Sequence, residues 1–130
     1  QRGLRPDPRL VVTGLRSTDE ATEVTHDLLA LDDPPTAVFT ARNILSTGAV
    51  RALAERGLRR QVALVGFDDF PLADLLDPPL TVIRQDVARI GKTVADLLFD
   101  RIDGNTSPPR HIVHEPTLVV RGSGEIPPPD

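Results

Sequence analysis

The sequence predicts an α/β fold, a mostly parallel sheet flanked by helices. Short apolar runs at Ala37-Val38-Phe39, Val62–Gly66 and Thr81–Ile83 have the length and continuity of strands buried on both faces, as in parallel sheets. Helical patterns stand between or beside these runs, as crossover connections require. A third observation concerns chemistry. Two of the runs end in polar clusters, Gly66-Phe67-Asp68-Asp69 and Arg84-Gln85-Asp86. Open α/β sheets bind ligands outside the carboxyl ends of their strands, so the segment Val62–Asp86 argues for a small-molecule site.

The chain opens in a loop-like stretch, QRGLRPDPR, followed by a short strand at Leu10-Val11-Val12. Ser17-Thr18-Asp19-Glu20 is a capping-box pattern, in which the Ser17 hydroxyl accepts the Glu20 amide and Glu20 reaches back. The helix it starts carries Ala21, Val24, Leu28 and Leu31 on one stripe and stops at Asp32-Asp33-Pro34-Pro35, because a residue before proline avoids the α region. After the strand at Ala37–Phe39, residues Thr40 to Asn43 form a loop. A helix from about Ile44 turns Ala49, Val50, Leu53 and Ala54 inward and ends at Gly57, a C′ glycine. The Val62–Gly66 strand, a loop or short helix over Pro71–Leu76 and the Thr81–Ile83 strand follow. Val87, Ile90, Val94, Leu97, Leu98 and Ile102 mark a periodic helix ended by Gly104-Asn105. His111-Ile112-Val113-His114 and Thr117–Val120 are two late strands. Residues 1–121 read as one folded unit, and Gly122–Asp130 as a Pro-rich disordered tail.

At 130 residues the chain supports one modest core. It has no cysteine, which removes disulfides and thiolate chemistry, and no metal site or cofactor is expected. No apolar stretch approaches the roughly 18 residues of a membrane span, and no signal peptide is visible, so a cytoplasmic protein is the expectation. The formal net charge is −4, with basic residues scattered apart from Arg59-Arg60 and a loose Arg2, Arg5, Arg9 cluster. That is not the footprint of a nucleic-acid binder. The chain lacks methionine and begins with Gln, so it reads as a piece of something longer.

No nucleophile–base–acid arrangement, strained G-x-S-x-G elbow, dinucleotide fingerprint or Walker loop occurs. Gly122-Ser123-Gly124 follows a strand but precedes prolines, so it is no phosphate loop. His26, His111 and His114 read as solvated or structural. Asp68 and Asp69 have a plain reading, capping or turning the chain, and a functional one, accepting hydrogen bonds from ligand hydroxyls or amines. Arg42 and Asn43 end the preceding strand in the same manner, as exposed residues with Asn43 a helix N-cap, or as a donor-rich wall facing Asp68. Gln85 supplies both donor and acceptor. Three strand ends thus bring polar groups to one rim.

The runs AVFTARNILSTGAVRALAERGL, VALVGFDDFPLADLLDPPLTVIRQDVARIGKTVADLL and HEPTLVVRGS resemble the carboxyl-terminal part of LacI/GalR-family transcription regulators, over roughly Thr36 to Ser123. The specific part is GFDD…PPLTVIRQD…G. The resemblance implies part of a type I periplasmic-binding-protein-like lobe, in a cytoplasmic regulator that binds a small effector between two lobes and forms a homodimer. It implies effector contacts at Asp68 and Gln85, with Arg42 where many members have Asn and Val87 where many have an aromatic. A guanidinium only donates and carries charge, so a sugar derivative, including an anionic one, is expected over a simple hexose. The helix from Ser46 to Glu55, with Ala49, Val50 and Leu53, and the loop bearing Leu76 and Pro78 resemble the family's dimer interface. The resemblance also implies that the DNA-binding domain, and most of the first lobe, lie outside this chain. The Val87–Ile102 helix then lacks its usual packing partner, and either a second copy or a rearrangement of the chain is expected to cover it. Two other readings share the fold: the sugar-binding component of a transporter, and a small α/β enzyme or phosphoacceptor using Asp68 and Asp69.

Overall fold

The structure is a computed structural model, in which residues 7–129 are described. Residues 1–6 and 130, including Arg2 and Arg5 of the basic cluster, lie outside the described residues. The elements are α1 (Thr18–Leu28), β1 (Ala37–Thr40), α2 (Asn43–Glu55), β2 (Ala63–Phe67), β3 (Thr81–Arg84), α3 (Val87–Ile102) and β4 (Thr117–Val119). They form one four-stranded sheet in the order β1-β2-β3-β4. The first three strands run parallel, with Thr40 opposite Gly66 and Phe67 opposite Ile83. Strand β4 pairs antiparallel with β3. The expected α/β sheet, mostly parallel and flanked by helices, is what the chain forms.

Helix α1 begins as a capping box. Ser17 Oγ accepts the Glu20 amide at 3.1 Å, and the Glu20 carboxylate reaches back one residue further than the simplest pattern, to the Arg16 amide at 2.7 Å. Asp19 and Glu20 also place negative charge at the positive end of the helix dipole. The helix packs along α2, and Gly48 is what allows the close approach. A Cβ there would lie 2.5 Å from the Thr18 carbonyl oxygen and 2.6 Å from Ala21 Cβ. Thr22 Oγ1 donates across the gap to the Gly48 carbonyl at 3.3 Å.

Helix α2 covers one face of the sheet. Leu53, Ala49, Leu64, Leu80, Val82 and Leu29 form the centre of the core, joined by Val62 and Ala73. Ser46 sits directly over Gly66, where a Cβ would come within 2.6 Å of its hydroxyl. That hydroxyl is buried yet satisfied, at 2.7 Å from Thr40 Oγ1 and 3.2 Å from the Arg42 carbonyl.

Several expectations are corrected. Leu10-Val11-Val12 is not a strand. Pro8–Leu10 is a short 3-10 turn that Asp7 caps through the Arg9 amide, and Val11 and Val12 run on exposed beside β1. Proline at the start of that turn sets its φ and favours the local hydrogen bond over a ladder. His111–His114 is not a strand either. Strand β4 already occupies the free edge of β3, and His114 instead meets Thr93 of α3, Nε2 to Oγ1 at 3.1 Å. Helix α1 stops at Leu28, three residues before Leu31, and Leu29 supplies the buried leucine. In α2 the inward stripe includes Ala52 and leaves Ala54 exposed. Helix α2 starts at Asn43, so Arg42 rather than Asn43 is its N-cap residue, without a side-chain cap bond.

The expected disordered tail from Gly122 is pinned at its start. Ser123 is 4% exposed and wedges between the beginnings of β2 and β3. Its carbonyl accepts the Leu64 amide at 2.8 Å, and its amide donates to the Pro79 carbonyl at 3.1 Å. Its Oγ donates to the Leu64 carbonyl at 2.6 Å and accepts the Thr81 amide at 2.9 Å.

Helix α3 matches its expected span, capped by Asp86 through the Arg89 amide at 2.9 Å and followed by Gly104 at φ +95°. None of its residues is buried, and Val87, Val94, Leu98, Phe99 and Ile102 all stand exposed. The expected rearrangement of the chain to cover this helix does not occur among the described residues.

Candidate ligand-binding site

The carboxyl ends of β1, β2 and β3 lie side by side, so the residues that follow them share one rim. Arg42 and Asp68 each stand two positions past the paired residues Thr40 and Gly66. Adjacent parallel strands are about 4.8 Å apart, which brings the two loops next to each other. Gln85 follows β3 on the other side of Asp68.

Asp68 and Gln85 touch. Gln85 Nε2 donates to Asp68 Oδ1 at 2.7 Å, and both side chains are only half-buried. The Asp68 amide still belongs to the sheet, donating to the Ile83 carbonyl at 2.9 Å. Its φ is +67°, a left-handed conformation that Asp tolerates better than most residues. The chain therefore reverses at Asp68 and leaves its carboxylate at the rim. One lone pair of Oδ1 is used by Gln85, and the remaining acceptor positions are open to hydroxyl or amine donors.

Gln85 and Val87 line a concavity of about 300 Å³ with Arg84, Asp86, Ala88 and Thr117. Val87 is the first residue of α3 and is 71% exposed. Arg42 and Asn43 are exposed at the same end of the sheet. The Arg42 guanidinium donates to the Leu15 carbonyl at 3.4 Å and makes no bond to Asp68. The structure thus joins Asp68 and Gln85 directly, puts Val87 beside Gln85, and leaves Arg42 and Asn43 as separate neighbours on the rim.

The interface residues divide. Ser46, Ala49 and Leu53 are 0, 0 and 2% exposed. They belong to this chain's own core and are not a surface, which corrects their assignment to a dimer interface. Small residues under a helix stripe serve tight helix–sheet packing equally well. Val50, Leu76 and Pro78 are half-buried and line one small cavity with Arg59.

Asp69 is where residue reading fell short. Its carboxylate is gripped by Arg121, Nη1 to Oδ1 at 2.8 Å and Nη2 to Oδ2 at 2.7 Å. The two residues lie 52 positions apart, and nothing local in the sequence pairs them. The hydrogen bonds from Arg121 hold the Asp69 carboxyl below the ordinary carboxylate range, against the opposing effect of burial. Arg121 is raised in turn by the same bonds. A carboxyl depressed in the folded state contributes stability that is complete above the unfolded value, about 4, and lost as pH falls through the folded value. Arg121→Met should therefore lower stability in urea at about pH 7, and by less at about pH 3. An equal loss at both pH values would refute the ion pair as its source.

The family model for the periplasmic binding protein-like domain matches residues 1–124. The HTH-type transcriptional repressor PurR of Pasteurella multocida is 34% identical over 125 residues, covering 95% of this chain and 37% of that protein. A regulatory protein of the LacI family from Chloroflexus aggregans superposes with a TM-score of 0.82 at 32% identity, over 92% of this chain and 44% of the other. The chain belongs to the LacI family, in its periplasmic-binding-protein-like domain. A further LacI-family structure, the transcriptional regulator CelR in complex with cellobiose, has a TM-score of 0.83 at 37% identity, covering 94% of this chain and 38% of that chain. This LacI-family chain thus spans under half the length of the relatives it matches. No helix among its described residues is long and apolar enough to cross a membrane.

Proposed function

We propose that this chain is the effector-binding and dimerising part of a LacI-type transcriptional regulator that senses a sugar or sugar derivative. The observation that carries the proposal is the Asp68–Gln85 pair, an acceptor-rich carboxylate and an amide presented together at the carboxyl ends of parallel strands. Such a pair suits adjacent hydroxyls, and the similarity to a cellobiose-bound CelR supports a carbohydrate. Val87, Arg42 and Asn43 complete the rim. The exposed guanidiniums of Arg42 and Arg84 favour an effector that bears an acidic group.

In this reading the effector stabilises one arrangement of the lobes over another, and DNA is reached only through a domain outside these 130 residues. Val50, Leu76 and Pro78 contribute to a homodimer contact. The whole regulator works in the cytoplasm and needs no cofactor. The transporter reading is not favoured, because the relatives above are transcription regulators.

The test is calorimetric titration of the full-length protein with cellobiose and with sugar acids. Asp68→Ala should weaken binding of whichever probe binds by about 1–3 kcal/mol, the cost of leaving buried polar partners unpaired. Unchanged affinity would remove Asp68 from the site.

A further inference from the structure

Asp68 is held in a conformation that an extended strand would not choose. Among the described residues only Asp68 and Leu72 combine a side chain with a positive φ, and such conformations persist only where the surroundings impose them. Two restraints act on Asp68 itself: its amide donates to the Ile83 carbonyl at 2.9 Å, and its carboxylate accepts from Gln85 at 2.7 Å. Neither fixes where the chain goes next. That direction is set by Asp69, whose carboxylate receives both terminal nitrogens of Arg121 and the Phe70 amide at 3.0 Å.

Arg121 is itself anchored. Its amide donates to Thr81 Oγ1 at 3.0 Å and its Nη1 to the Leu80 carbonyl at 3.3 Å. Both groups belong to the start of β3, and the next residues, Gly122 and Ser123, are fastened to the same place. The guanidinium and carboxylate are 18% and 22% exposed, so water competes weakly for the pair. A two-pronged Arg–carboxylate contact also fixes orientation, which a lysine point charge would not.

We propose that Asp69 and Arg121 are a positioning pair that holds Asp68 in its left-handed conformation and so keeps its carboxylate against Gln85. The pair touches no ligand. It pulls the chain back from the rim immediately after Asp68, and release of that pull lets Asp68 relax toward φ below zero and turn its carboxylate off Gln85. The importance of the pair to recognition rests on the proposed role of Asp68, whereas the geometry it enforces needs no effector.

The experiment is therefore ligand-free: nitrogen-15 NMR with hydrogen exchange on the full 130-residue chain. In the unaltered chain the Gln85 side-chain amide should be protected and the Asp68 amide slow to exchange. Arg121→Met should speed both by at least tenfold while the α2 amides of Ala49 and Leu53 keep their protection. Asp69→Asn, which leaves the backbone intact, should do the same, and Arg121→Lys should fall between the unaltered chain and Arg121→Met. Gln85 and Asp68 signals unchanged in folded Arg121→Met or Asp69→Asn would overturn the proposal, as would loss of folding in both variants, which would make the pair structural only. Failure of the Asp68→Ala titration leaves this result untouched, so the two readings fail separately.

Discussion

Ser123→Ala should destabilise the chain by about 2–5 kcal/mol, read as a lowered midpoint in urea at constant slope. The serine hydroxyl is the sole side-chain partner of two strand ends, accepting the Thr81 amide and donating to the Leu64 carbonyl. Alanine keeps the backbone bonds that Ser123 makes to Leu64 and Pro79. It leaves the other two groups buried without that hydroxyl, each at a cost of about 1–3 kcal/mol. A loss below about 0.5 kcal/mol would mean that the segment does not hold the sheet.

Gly48→Val should cost at least about 3 kcal/mol, at or beyond the upper end of ordinary overpacking. The obstacles to a Cβ there include backbone atoms of the neighbouring helix, the Thr18 oxygen at 2.5 Å and the Thr22 nitrogen at 2.9 Å. Backbone cannot swing aside as a flexible side chain can, so α1 must withdraw from α2 and lose the Thr22–Gly48 bond. Gly91 in α3 is the internal control. A Cβ there meets nothing within 4 Å, and Gly91→Ala should stabilise the helix by about 0.5–1 kcal/mol. Equal behaviour of the two glycine variants in thermal unfolding would contradict the packing described for α1 and α2.

All seven main elements were legible because each declares itself locally. The runs at Ala37, Val62 and Thr81 are continuous and apolar, and the helices after Asn43 and Asp86 have clear periods and glycine stops. Leu10–Val12 and His111–His114 carry the same strand-like composition and form no strand: the first is diverted by the 3-10 turn that begins at Pro8, and the second finds the edge of β3 already held by β4. That Asp68 and Gln85 lie together was readable from their places at the ends of two neighbouring strands. Arg121 was not, since its partner lies 52 residues away. Ser46, Ala49 and Leu53 were misplaced for a related reason: a stripe of small and apolar residues states that a helix face is covered, without stating whether the cover is its own sheet or a second molecule. Ser123 was hidden by its flanking glycines and prolines, which locally spell a tail.

The wedge of Ser123 also bears on the order of events during synthesis. Leu64 and Thr81 emerge 59 and 42 residues before the serine that joins their strands. Until Ser123 arrives, the beginnings of β2 and β3 have free backbone groups, and the closing of so long a loop is slow compared with local helix formation. The nascent chain up to Arg84 is thus a set of helices beside an unfinished sheet edge, open to pairing with other chains. The native contacts at the beginnings of β2 and β3 cannot be complete before Arg121 to Ser123 have been translated.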